Sequence, residues 1–292
     1  MRGEVVRMYQ LFALLNGGVI SVMVMLNGQL ASFLGAYEAA AVIHVVGVVF
    51  AGTLCLLGRK RVWVKAPLWA YAGGAIGVLS TLFNNFAFGH ISMTSIVALS
   101  LLGQTITSTC LDHFGWLGSV KRPLNASLAV GLACSAAGIA VMLGGSLQGT
   151  LPAILFSIGA GVTVVLSRGV NGVLAARTGA LAGSFINHLA GLPICLVLAA
   201  VLGTGGAGGE IMFWSFCGGM LGVVTVSLFN ITVPRLPALQ VTLCSFVGQI
   251  FTGLLLDLVW GKGLSAVSAW GGILVAAGVV YIQVRPARTK EQ

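Results

Sequence analysis

Charge is what this sequence has least of. Only 7% of its 292 residues are Asp, Glu, Lys or Arg, against about 25% in an ordinary soluble domain. A chain so poor in charge cannot cover a water-facing surface, whereas its 58% apolar residues suit a lipid-facing one. Also missing are a GxSxG elbow, an HExxH pair, a P-loop with its lysine and any Cys/His cluster. Those absences argue against an enzyme, and no cofactor and no metal are expected. Six cysteines (Cys55, Cys110, Cys134, Cys195, Cys217, Cys244) stand apart within apolar segments and read as small packing residues. The net charge of +9 is spread between apolar segments rather than gathered in one patch, so no nucleic-acid partner is implied. What remains is an integral membrane protein whose first partner is the lipid bilayer.

Long apolar runs are what the chain has most of. Ten can be marked, at 8–26, 36–57, 67–88, 93–111, 127–145, 152–170, 180–202, 212–233, 238–258 and 266–284. A span needs roughly 20 apolar residues, so ten membrane helices with short connections are predicted. Arg2 and Arg7 before the first run imitate a secretory leader, but no small-x-small cleavage site follows, and the run reads as the first span. With the N-terminus in the cytoplasm, the inner side receives Arg2, Arg7, Arg59, Lys60, Arg61, Lys65, Lys121, Arg122, Arg168, Arg177, Arg235, Arg285, Arg288 and Lys290. The outer side receives only Lys262. That asymmetry predicts cytoplasmic N- and C-termini.

The chain repeats itself. Asn27-Gly28, Gly35, His44 and Gly47 recur 144 residues later as Asn171-Gly172, Gly179, His188 and Gly191. Gly73-Gly74, Gly77, Asn85, Gln104 and Asp112 recur 145 residues later as Gly218-Gly219, Gly222, Asn230, Gln249 and Asp257. Two units follow, 1–146 and 147–292, together forming one transmembrane domain. Five helices per unit is an odd number, so the second unit enters the membrane from the opposite side. Inverted repeats of this kind characterise secondary transporters with a midplane site.

Polar groups at membrane depth are costly and point to a protein interior or a wet cavity. His44 and His188 lie inside the second and seventh runs, as satisfied packing residues or as proton or substrate contacts. Asn85, Asn230, Gln104 and Gln249 must bond a neighbouring helix, the backbone, water or a ligand. Recurrence at equivalent places favours a cavity lining. Gln104, Ser108 and Asp112 share one helix face at four-residue spacing. Glu4 and Glu291 are terminal and Glu210 falls in an outer loop, leaving Glu38, Asp112 and Asp257 near spans. The aspartates fall at opposite mouths, either as gate or coupling groups together with Glu38 or as solvated helix ends. Asn27 and Asn171, each before glycine, read as helix-end caps. Gly73, Gly77 and Thr81, like Gly218 and Gly222, make small-residue stripes for close helix packing. Trp116 and Trp260 suit the membrane interface.

These residues resemble a known family. Asn27-Gly28 with Gly35, Gly73-Gly74 with Gly77, and Gly103-Gln104 through Asp112-His113-Phe114-Gly115-Trp116 with Arg122-Pro123 match the YdcZ-like family of the drug/metabolite transporter superfamily. So do Asn171-Gly172 with Gly179, Asn187-His188 with Gly191, Val233-Pro234-Arg235-Leu236, and Gly248-Gln249 through Asp257 in the second half. The second copy departs at Asp257-Leu258-Val259-Trp260-Gly261, where the His-Phe-Gly-Trp order is lost. The resemblance implies an all-α bundle of ten helices of the EamA-like kind in a bacterial inner membrane. It also implies transport of a small-molecule substrate without naming that substrate. The expected function is therefore a secondary active exporter of a small metabolite or organic cation, proton-coupled and working by alternating access as a monomer or homodimer. The rival is a non-transporting membrane scaffold or assembly partner.

Overall fold

In hydrocarbon every backbone N–H and C=O must find its partner within the protein, and the described residues of this chain meet the demand with helices. The computed structural model describes residues 2–88, 90, 93–119, 121, 125–143, 151–206, 208, 213–259 and 266–284. Among them run ten α-helices and no strand. They are α1 (Arg2–Leu34), α2 (Ala36–Leu57), α3 (Gly73–Phe88), α4 (Met93–Phe114), α5 (Ala126–Leu143), α6 (Leu151–Thr178), α7 (Ala180–Leu202), α8 (Cys217–Thr232), α9 (Ala238–Val259) and α10 (Ala266–Val284). Six stretches meet the length and hydropathy of a span: Gly3–Leu34, Ala36–Leu57, Leu151–Thr178, Ala180–Leu202, Phe213–Thr232 and Ala238–Leu256. The chain is an all-helical, multi-pass membrane protein.

Two helices are longer than the apolar runs suggest. α1 continues past Asn27 to Leu34, and α6 past Asn171 to Thr178. Asn27 and Asn171 are therefore interior helix residues and not caps. The amide side chains turn into the bundle instead, and Asn171 is buried. Helix termination falls to glycine. Gly35 (φ 101°, ψ 154°) and Gly179 (φ 86°, ψ 164°) each form a one-residue hinge between consecutive helices. That region of backbone space is essentially closed to residues with a Cβ. Both hinges use the same bonds: Gly35 N–H donates to Ala31 and its carbonyl accepts from Ala39, while Gly179 pairs likewise with Ala175 and Gly183.

Packing is reciprocal between positions related by the repeat. α1 lies against α8 and α9, and α6 against α3 and α4, while α2 pairs with α7 and α5 with α10. Glycine sets each crossing. A Cβ on Gly17 would strike the Ser245 carbonyl and the Gln249 amide; one on Gly161 would strike the Ser100 carbonyl and the Gln104 amide. Gly103 abuts the Ile158 carbonyl as Gly248 abuts that of Leu14, and Gly74 abuts the Asn187 carbonyl as Gly219 abuts that of Ile43. Exchange of contacts (i with j, and the repeat of i with the repeat of j) is what a two-fold relation produces. Around these crossings Ala13, Leu101, Leu128, Leu239, Leu243 and Val275 join α1, α4, α5, α9 and α10 in one buried cluster.

The two kinds of glycine make opposite predictions. Gly179→Ala meets no neighbouring atom but forces a Cβ into its hinge conformation, so it should cost about 1–3 kcal/mol. Gly28→Ala also meets none and sits inside α1, so it should stabilise by about 0.5–1 kcal/mol. Thermal unfolding of the detergent-solubilised protein reads both, with Tm falling for the first and rising for the second.

Candidate functional site

Histidines met at equivalent places in the repeat are brought face to face. His44 on α2 and His188 on α7 lie with ring centroids 5.7 Å apart. Each ring rests on the glycine one turn beyond the other histidine, His44 on Gly191 and His188 on Gly47. No larger residue would fit at either glycine, because the imidazole occupies the Cβ position. Each Nδ1 lies 2.9 Å from the carbonyl four residues earlier, Ala40 for His44 and Ser184 for His188. A carbonyl only accepts, so the proton of the neutral ring is on Nδ1 and Nε2 presents a lone pair. Gly222 stands beside Nε2 of His188, and the Cys195 sulfur lies 3.5 Å from Nδ1 of His44.

The amides are held by partners of their own. Asn171 Nδ2 donates to Asn187 Oδ1 at 2.7 Å, and Ser167 Oγ donates to the Gly73 carbonyl at 2.8 Å. Asn171 and Asn27 fill matching hollows over Gly73 and Gly218. Asn230 is buried and donates to the Ala180 carbonyl at 3.0 Å, which ties α8 to the start of α7. Gln249 is half-buried, and its backbone carbonyl accepts from Ser21 at 2.7 Å. Asn85 and Asp257 lie on described helices, but their side chains fall outside the described residues.

Gln104 leads to a residue that the sequence reading placed elsewhere. Its Oε1 accepts from Nη2 of Arg168 at 2.7 Å, and the Arg168 guanidinium lies 4.3 Å over the Phe229 ring. Counted as an inner-side charge, Arg168 in fact stands ten residues inside the end of α6, with Thr178 as the last helical residue. That is roughly 15 Å of helix. The signal was present: helical spacing of small residues continues through 171–178, and following it would have placed Arg168 inside the helix and not at its end.

The remaining sites lie at helix ends. Asp112 is 2% exposed. It accepts from the amides of Ala238 at 2.6 Å and Leu239 at 2.9 Å, and from the Ser119 hydroxyl. A carboxylate there satisfies orphan N–H groups at the start of α9 and complements its dipole. One turn earlier Ser108 Oγ lies 2.8 Å from Thr242 Oγ1, so the Gln104–Ser108–Asp112 face is the seam along which α4 meets α6 and α9. Glu38, near the start of α2, accepts from the Gly205 amide at 2.9 Å and so holds the segment after α7. Trp116 is exposed and stacks on Phe114, while Trp260 falls outside the described residues. Among the described residues no group of three His, Cys, Asp or Glu could hold a metal.

Asp112→Ala should cost about 1–2 kcal/mol through loss of the cap and its charge, with Asp112→Asn retaining part. The check is Tm of the purified variants.

Comparison with known proteins follows this geometry. The family described as "Putative inner membrane exporter, YdcZ" matches twice, over residues 8–141 and 152–281. A solved crystal structure is similar with a TM-score of 0.72 at 14% identity, covering 99% of both chains, which speaks for the fold alone. No curated protein matches. The two matches span nearly the whole chain, and the protein belongs to the YdcZ family of inner-membrane exporters within the drug/metabolite transporter group, a transporter family and not an enzyme family.

Proposed function

We propose that the protein is a proton-coupled secondary exporter of a small metabolite, working by alternating access in a bacterial inner membrane. Residues 1–146 and 147–292 would be two five-helix units of inverted topology, giving ten spans with both termini cytoplasmic, as a monomer or homodimer. Reciprocal contact between the repeats supports this most directly. His44 seats on Gly191 as His188 seats on Gly47, so the two units can exchange conformations while the same contacts are remade. Inverted-repeat transporters place their substrate site at such a meeting point.

The histidine pair suits proton coupling. Two imidazolium charges 5.7 Å apart would repel by about 3 kcal/mol at an effective dielectric of 20, so the pair accepts one proton at a time on a lone-pair Nε2. Gln104, Gln249, Asn85 and Asn230 would line the path nearby. In a bundle whose helices alternate in direction, the start of α2 and the end of α4 lie on opposite faces. Glu38 and Asp112 would then latch opposite mouths, with Asp257 the outer counterpart of Asp112. Of the two cargo classes, an organic cation is disfavoured by the charge of Arg168 inside the bundle.

Proteoliposomes carrying an imposed pH gradient and a panel of small metabolites test this. We expect solute-dependent proton flux in the wild type, and its loss in His44→Ala and His188→Ala variants that still purify as folded protein. No flux with any solute, together with a stoichiometric protein partner retained in detergent, would establish the scaffold alternative instead.

A further inference from the structure

Arg168 is a cation without an ionic partner among the described residues. It contacts the Gln104 amide oxygen and the Phe229 ring, and its Nε is buried with no hydrogen-bond acceptor among the described residues. A guanidinium carries five N–H donors in a planar fork, and a charge inside a helix bundle is retained only at a cost unless it is paired. The equivalent position in the first repeat is Val24, so the fold does not need a cation there. Asp112 accepts from Ser119, Ala238 and Leu239, whereas Arg168 donates to Gln104.

Beside Arg168 lies a cavity of 10 Å³, enough for about one water. Its other walls include Leu111, Leu117, Val165, Val233 and Val241, with Ser119 and Thr242 as polar points. The site thus offers one fork-shaped positive charge and apolar walls. A single cation balances a single anion, which favours a carboxylate over a doubly charged phosphate. The fork accepts a carboxylate through two parallel hydrogen bonds, and the apolar walls suit a hydrocarbon or aromatic remainder.

We propose that Arg168 binds the carboxylate of the exported solute, which is a small apolar or aromatic monocarboxylic acid. This deepens the export reading and rests on it. Gln104 Oε1 and the Phe229 ring hold the guanidinium in this structure, and the solute carboxylate would replace the Gln104 oxygen on binding. Cargo and proton would then share one bundle, with the anion near Arg168 and the proton at the histidine pair.

Three probes of one shape test it: benzoate, benzamide and benzylammonium, at constant ionic strength, against the full-length protein in detergent. Benzoate at about tenfold over its Kd should raise Tm by about 2–4 °C, and the other two should not. Arg168→Gln should lose that rise, Arg168→Lys should weaken it, and Arg235→Gln, at an exposed arginine, should keep it. Since the readout is the ligand-induced shift, a variant with a lower starting Tm still reports. If Arg168→Gln does not fold, the wild-type ranking of the three probes decides. Stabilisation by benzylammonium, an equal benzoate shift in Arg168→Gln, or no shift with any probe overturns the proposal. Benzoate bound by the wild type but not moved in proteoliposomes keeps this site and defeats the export reading. A cationic solute exported while benzoate fails to bind does the reverse.

Discussion

Backbone-to-backbone approach is the constraint on which the rest of this structure depends. Lipid tails are as apolar as leucine, so burying leucine does not drive helices together within a bilayer, and association must come from close packing and polar contact. Gly17, Gly74, Gly103, Gly161, Gly219 and Gly248 each bring a helix against a carbonyl of its neighbour, where a Cβ would collide. The seam polar groups follow from that closeness. Ser108 reaches Thr242 across helices, and Ser245 Oγ reaches the Ala13 carbonyl at 3.1 Å.

The frame built this way is two-fold in its contacts, but its occupants are not. Gly35 and Gly179 hinge alike, and His44 and His188 seat alike. Arg168 stands opposite Val24, Asn187 opposite Ile43, Glu38 opposite Ala182, and Pro193, inside α7, opposite Val49. On the export reading proposed above, the symmetric frame would let the two halves trade conformations, and the asymmetric side chains would let one trade differ from the other.

Much of the frame was legible before any coordinates. A paired glycine at 35 and 179 signals a backbone need that no other residue meets, and the hinges there carry it out. The paired histidines signalled an interior position, and they meet. Legibility failed where local sequence gave two answers. Asn-Gly is a turn signal in water, yet in α1 and α6 it lies inside a helix, because a neighbouring glycine on α8 or α3 leaves a hollow that the asparagine fills. Asp112 read equally as a gate or a solvated end. Its work in capping α9 needs a residue 126 positions away, and no local pattern reports that.

By itself, then, the sequence determined the solvent, the helical class, the repeat and the places where backbone must bend or touch. Each of these is written in composition or in spacing along one chain segment. Only the tertiary structure decided which polar group serves which helix: that Gln104 holds Arg168, that Asp112 belongs to α9, and that the histidines exchange seats. Those partners come from different helices, and in a bilayer the choice among apolar helix faces is made by side-chain fit, which hydropathy does not encode.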